Sequence, residues 1–304
     1  MSYAEMVRAN IAKTISTDKT GGHWRKGDAG YTHICKNLKD NFIDLQAPKM
    51  CCIKGGDDNW NFRMIKYHTD AKSLNSSQVM CINFFKKFFE DPQYEGILLY
   101  VLRQSGINIP IDSVIKDAVF EYEPDESERT SFDFFMRLSD GQHISFEIKY
   151  TESGFGGISA CPSDSDRYAR KWINSYAELV QNCPYLTHAY TCNNDFLCVK
   201  NGKLTPKACV TSDKCSIYKF YENYQICRNI CFAKESNDIV AFLTPRKNDS
   251  LDAGRRFIDG FRNPNIVNIY WEELIDKVLS SVLHNKTLNN YYSEFKTKYI
   301  DIVP

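Results

Sequence analysis

The stretch SFDFFMRLSDGQHISFEIKYT, residues 131–151, decides how this chain folds. Its first half alternates apolar Phe132, Phe134, Met136 and Leu138 with polar Ser131, Asp133 and Arg137; Phe135 is the exception. Its second half alternates Ile144, Phe146, Ile148 and Tyr150 with His143, Ser145, Glu147, Lys149 and Thr151. Period-two alternation predicts two strands, each with one apolar face. Ser139-Asp140-Gly141 suits a three-residue hairpin loop with Gly141 in the left-handed position. That loop pairs Leu138 with Gln142, so Asp133 falls directly opposite Glu147. Like charges in that position destabilise a sheet. A shared proton, a lysine or a divalent cation would relieve them, and Lys149 lies two residues along on the same face.

Working outward, DAVFEYEP (117–124) predicts a third strand with Glu121 and Glu123 on the polar face. One face of this meander is then core. The other gathers Glu121, Glu123, Asp133, Arg137, Glu147 and Lys149. Upstream, a helix opens at Asn75, Ser76 or Ser77 as N-cap, with Val79, Ile82, Phe85 and Phe89 at helical spacing. A second helix spans 94–107 and closes near Gly106. Downstream, helices are predicted over 166–182 and 216–234. Strands follow in DIVAFLT (238–244) and IVNIYW (266–271), and a helix in 272–283. The order predicts an α/β domain over residues 61–304: a central mixed sheet with an antiparallel three-strand meander, flanked by helices. Residues 1–60 read as an N-terminal helical extension.

The formal net charge of the 304 residues is zero, so any nucleic-acid contact must come from a local basic patch. No signal peptide is evident and no apolar run approaches ~18 residues, which predicts a cytoplasmic protein without a membrane span. The twelve cysteines include no CxxC pair and several fall inside apolar patterns, as reduced, packed thiols do. A cysteine-bound metal within 183–231 is the competing reading of that region.

Two carboxylates on neighbouring strands, with a lysine two residues beyond one of them, suit metal-dependent phosphodiester cleavage. Asp133, Glu147 and the Ile148 carbonyl offer hard oxygen ligands to Mg²⁺. Such an ion binds a phosphate oxygen and lowers the pKa of a water. Lys149 can orient that water or stabilise charge in the transition state. The plainer alternative is a solvated sheet face on which Lys149 neutralises a carboxylate.

These residues carry a resemblance. Asp133 and Glu147-Ile148-Lys149 resemble the motif of the PD-(D/E)XK nuclease superfamily. Four blocks, SSQVMCINFF (76–85), RTSFDFFMRLSDG (129–141), EIKYTES (147–153) and YQICRN (224–229), resemble a group of bacterial restriction endonucleases. The resemblance implies a restriction-endonuclease-like core, Asp133 and Glu147 as metal ligands, and Lys149 as the catalytic lysine. It also marks Gln225, taken as part of the catalytic set, and Arg228. Independently, Gln225, Arg228 and Asn229 share one helical flank beside the stripe Phe220, Tyr224, Cys227 and Cys231. Gln78 and Asn83 are candidates for substrate contact or for helix packing. Lys247, Arg255 and Arg256, with Arg246 and Arg262, form a candidate phosphate-contacting rim or a solvated surface. Glu152 is a further candidate or an exposed loop acid. The implied activity is a Mg²⁺-dependent DNA endonuclease, with Mn²⁺ substituting, acting in restriction or defence. Cutting both strands suits a homodimer, although no residue marks its interface. A non-catalytic nucleic-acid-binding or regulatory protein on the same fold is the alternative.

Overall fold

A computed structural model of the chain describes residues 1–23, 30–125, 130–157, 176–186, 197–200, 203–206 and 220–302. Its centre is a six-stranded sheet whose strands lie side by side in chain order. They are β1 (Cys52–Lys54), β2 (Ile115–Asp125), β3 (Thr130–Leu138), β4 (His143–Ile148), β5 (Ile239–Thr244) and β6 (Ile266–Tyr270). Strands β1 to β4 are antiparallel, whereas β5 and β6 run parallel to β4. The sheet is therefore mixed, with the antiparallel meander the sequence predicts.

The hairpin forms as its turn residues dictate. Gly141 has φ +86°, its N–H donates to Leu138 O at 3.1 Å, and Leu138 N donates to Gln142 O at 2.9 Å. The ladder pairs Met136 with Ile144 and Phe134 with Phe146. The same register carried one pair further sets Asp133 beside Glu147.

Helices α1 (Tyr3–Ile11), α2 (Ser77–Phe85), α3 (Pro92–Gln104), α6 (Trp271–Ser281) and α7 (Lys286–Tyr299) cover one face of the sheet. Helices α4 (Tyr224–Cys231) and α5 (Asp252–Asp259) cover the other. Local signals set the helix ends. The Ser76 side chain accepts from Val79 N, Asp91 caps α3 with Pro92 in its first turn, and Gly106 follows α3 at φ +92°. Helix α2 is buried from Gln78 to Phe85 because it is sandwiched between the sheet and α7. Phe85 stacks on Phe134 of β3, while Phe84 meets Tyr292 and Phe295 of α7.

Several sequence expectations need correction. The second sheet face is no open polar surface. Val240 and Phe242 of β5 bury there against Ile226 and Ile230 of α4 and Ile258 of α5. Strand β5 is buried on both faces, as parallel strands under helices on both sides are. Phe132 packs into this second cluster although its parity assigned it to the first. The strand-pair register shifts between Tyr122 and Asp125, and strict alternation is lost there. Residues 1–60 are less helical than expected. They contain α1, an antiparallel pair (Thr20–Gly22 with Tyr31–Cys35) and the edge strand β1. Tyr3, Val7, Ile11, Phe42 and Cys51 share one core with α2 and α7. Of the predicted helix 216–234, residues 216–219 lie outside the described residues; the remainder is interrupted at Asn223, and α4 starts after it. Of the predicted helix 166–182, residues 166–175 lie outside the described residues, and Ala177–Asn182 is helical. No helix among the described residues is long and apolar enough to cross a membrane.

Candidate active site

The C-terminal end of β4 opens into a cleft bordered by Glu121 of β2, Asp133 of β3, Glu147, Ile148 and Lys149, and by Gln225 and Arg228 of α4. His68, Ser77, Ser131 and Glu152 complete its wall. Three strands and two helices from across the chain thus converge on it.

Glu147 is buried and held by three donors. Lys149 Nζ donates to its Oε1 at 2.9 Å, and Asn229 Nδ2 donates to its Oε2 at 2.8 Å. Gln225 Nε2 also donates to Oε1. Helix α4 therefore fixes the glutamate while its apolar side packs on the sheet. Asp133 Oδ2 accepts from Ile148 N at 2.6 Å. Burial pushes the Asp133 carboxyl well above its ordinary range, and the charges of Glu147 and Glu121 push further. Lys149 and the Ile148 N–H oppose this only in part. Burial also works against the Lys149 ammonium, but Glu147, Glu152 and Asp133 outweigh it, so its pKa is raised. Lys149 is held as a cation within about a side chain's reach of the cleft.

Glu121 belongs to the same cluster. It has φ +51° within a strand, a conformation that costs a non-glycine residue on the order of 1–3 kcal/mol and persists only where the surroundings impose it. Gln78 holds its side chain there, donating to Glu121 Oε1 at 2.9 Å. Burial raises the Glu121 pKa, the Gln78 bond lowers it, and Glu147 and Glu123 add to the rise. The alternation that placed Glu121 on this face could not reveal its backbone strain.

The loop after β4 is anchored from several sides. Lys149 N donates to Leu243 O, and Trp271 Nε1 donates to Lys149 O at 3.2 Å. Asn248 Nδ2 donates to the carbonyls of Tyr150 and Glu152. The glycines beyond dock α4. Gly156 O accepts from Gln225 N at 3.3 Å, and a Cβ on Gly157 would stand 2.6 Å from Glu222 O. Only a residue without a side chain lets this turn press so close to the start of α4.

The other sequence candidates are dispersed. Asn83 is buried away from the cleft, bonded to Asn41 O and to Tyr299 Oη. Arg255 is buried as well. It donates to Pro245 O at 2.8 Å and Asn248 O at 3.1 Å, so it braces the loop that holds Tyr150 and Glu152. Lys247 and Arg256 are exposed on that side of the molecule. Glu123 pairs with Arg63, and Arg137 with Asp117, both outside the cleft wall. Cys183, Cys227 and Cys231 pack in the second core cluster.

The donor set fits a divalent cation. Four carboxylates line the cleft against one lysine and one arginine. Among the described residues, no three His, Cys, Asp or Glu side chains close on a single ion as they stand. Mg²⁺ needs no such cage: it is usually held by one or two carboxylates and keeps several waters.

A family model described as Restriction Endonuclease associating with ARP matches residues 12–300. The chain belongs to this restriction-endonuclease family. No curated protein and no solved structure gives a significant match. The matched span reaches from the end of α1 to the end of α7, so both sheet faces and the cleft lie inside the family's extent.

Proposed function

We propose that this restriction-endonuclease-family chain hydrolyses phosphodiester bonds of DNA in a Mg²⁺-dependent reaction at the Asp133–Glu147–Lys149 cleft. The observation that carries the reading is the buried Lys149 ammonium, kept charged by carboxylates that remain in excess around it. A purely structural lysine needs one partner, whereas this one sits at the border of an open acidic cleft.

Asp133, Glu147 and the Ile148 carbonyl would hold the metal. When bound, Mg²⁺ supplies Lewis acidity to the phosphate and a water of lowered pKa; Mn²⁺ is expected to substitute. Lys149 borders the cleft, where its ammonium would orient a water and stabilise charge developing on phosphate oxygens. Arg228 is poised for the phosphate itself. It borders the cleft, its buried Nε has no hydrogen-bond partner among the described residues, and its guanidinium rests 5.4 Å from the Tyr224 ring. Gln225 and Asn229 restrain Glu147, since partners of a metal-binding carboxylate set its orientation.

Plasmid cleavage with Mg²⁺, with Mn²⁺ and with excess chelator tests the reading, beside Lys149→Ala. Metal-dependent strand breaks that vanish in the variant are expected. Breaks that persist in Lys149→Ala would place the chemistry elsewhere. An RNA duplex of matching sequence tests the choice of nucleic acid.

A further inference from the structure

Residues 62–68 run from the helical turn Asp58–Asn61 to the cleft. Exposure alternates along them: Phe62, Met64, Lys66 and His68 are exposed, Ile65 is buried, and Arg63 and Tyr67 are half-buried. From Arg63 onward that is the pattern of an extended segment with one face turned outward, while Phe62 closes the helical turn before it. Backbone bonds hold it, from Cys51 N to Arg63 O and from Ile65 N to Lys49 O, each 2.8 Å. Phe62, closing that turn, is 78% exposed and Met64 54%, so an apolar pair stands in water, with Lys66 and His68 following Met64 along the outward face. Arg63 is turned inward, taken by Glu123 and the Trp60 ring.

Gln78 fastens this row to the cleft. Its Oε1 accepts from His68 N at 3.0 Å, and its Nε2 donates to Lys66 O at 3.2 Å and to Glu121 Oε1 at 2.9 Å. One buried side chain thus holds both the backbone of the row and a carboxylate of the cleft. His68 itself lines the cleft wall. From Met64 to His68 the row spans about 13 Å at about 3.3 Å per residue. That matches about four base-pair steps of duplex.

We infer that residues 62–68 are a DNA-contacting strand. Lys66 and His68 follow the phosphates leading to the scissile bond, and Phe62 and Met64 press into the minor groove beyond them. Hydrogen-bond donors on phosphates set position, and apolar side chains in the minor groove wedge between base steps and bend the duplex. The inference rests on the reading of the cleft as a DNA nuclease. A protein partner seated on Phe62 and Met64 is the competing occupant. Continuity with the cleft and the basic residues on the same face favour DNA.

The test is fluorescence anisotropy of a labelled, random-sequence duplex pool against the full-length chain at rising salt, in a Lys149→Ala background that silences cleavage. The paired Phe62→Ser and Met64→Ser variant is expected to bind about tenfold or more weakly, on the scale of base–apolar contacts, with an unchanged melting temperature. Lys66→Gln is expected to reduce the slope of log affinity against log salt by about one. Binding equal to the parent in both variants overturns the inference. So does a paired variant that alters only association with protein. Plasmid cleavage by the otherwise unaltered chain separates the two readings. Cleavage with neutral variants leaves the nuclease and removes this strand. Weakened binding without cleavage under any metal does the reverse, and no DNA binding at all overturns both.

Discussion

Lys149, at the end of β4, and Lys298, in α7 on the other side of the sheet, are both buried, and their surroundings treat them oppositely. Burial alone disfavours an ammonium. Lys298 donates to the carbonyl and side-chain oxygens of Asn41, which are neutral, and its pKa falls to about 8. Lys149 meets carboxylates, and its pKa is raised despite the same burial. The first lysine stitches α7 to the Asn41 turn. The second is a retained charge beside a surplus of negative charge. What distinguishes the proposed catalytic lysine from the bracing one is the set of carboxylates around it, not its depth.

The largest expected effect breaks the comparison at Lys149. Lys149→Met should lower the rate of DNA cleavage about 10²–10³-fold, the usual loss for one electrostatic donor, with the fold kept, as followed by circular dichroism. Equal loss in Lys298→Met with intact folding would erase the distinction. Next, Asn229→Ala and Gln225→Ala each free Glu147 from one donor. A loss of about 10–100-fold in rate or metal affinity is expected, measured by metal titration of cleavage.

Gly157→Ala should act through geometry alone. Its Cβ would meet the Glu222 carbonyl, costing about 1–3 kcal/mol of stability as overpacking does and shifting α4 against Glu147. Thermal melting together with cleavage rates checks both effects. The smallest effect is a pH dependence at Lys298. Its folded pKa of about 8 lies below the unfolded value, so between these the unfolded chain binds more protons and folding stability rises with pH. The gain is about 1 kcal/mol between pH 8 and pH 9. Denaturant unfolding of the parent minus Lys298→Met, which cancels the tyrosine and cysteine contributions, should show this rise. Lys149 should contribute no such rise over that range.

Much of this was legible in residues 131–151. The turn chemistry of Ser139-Asp140-Gly141 fixed the register, and the register set Asp133 beside Glu147. The helix carrying Gln225 and Asn229 was legible as a polar flank beside an apolar stripe, but not its contact with Glu147, which depends on a long crossover between β4 and β5. Arg255 looked like a surface cation because charge says nothing of burial; Pro245 and Asn248 offer it carbonyls that sequence spacing cannot reveal. Helix α7 escaped the sequence reading although Leu288, Tyr292, Phe295 and Tyr299 recur at helical spacing behind an Asn285 cap. That signal was available, and with it the complete burial of α2 follows. The positive φ of Glu121 had no local signal: it lies in a strand beside a shift in the pairing register that residue types do not announce.

The most direct measurement of the central claim is Mg²⁺-dependent cleavage of plasmid DNA by the purified chain beside Glu147→Gln. The account predicts strand breaks that require the metal, stop in excess chelator, and disappear in Glu147→Gln while the variant melts as a folded protein. Cleavage that continues in Glu147→Gln, or in the presence of chelator, would contradict it.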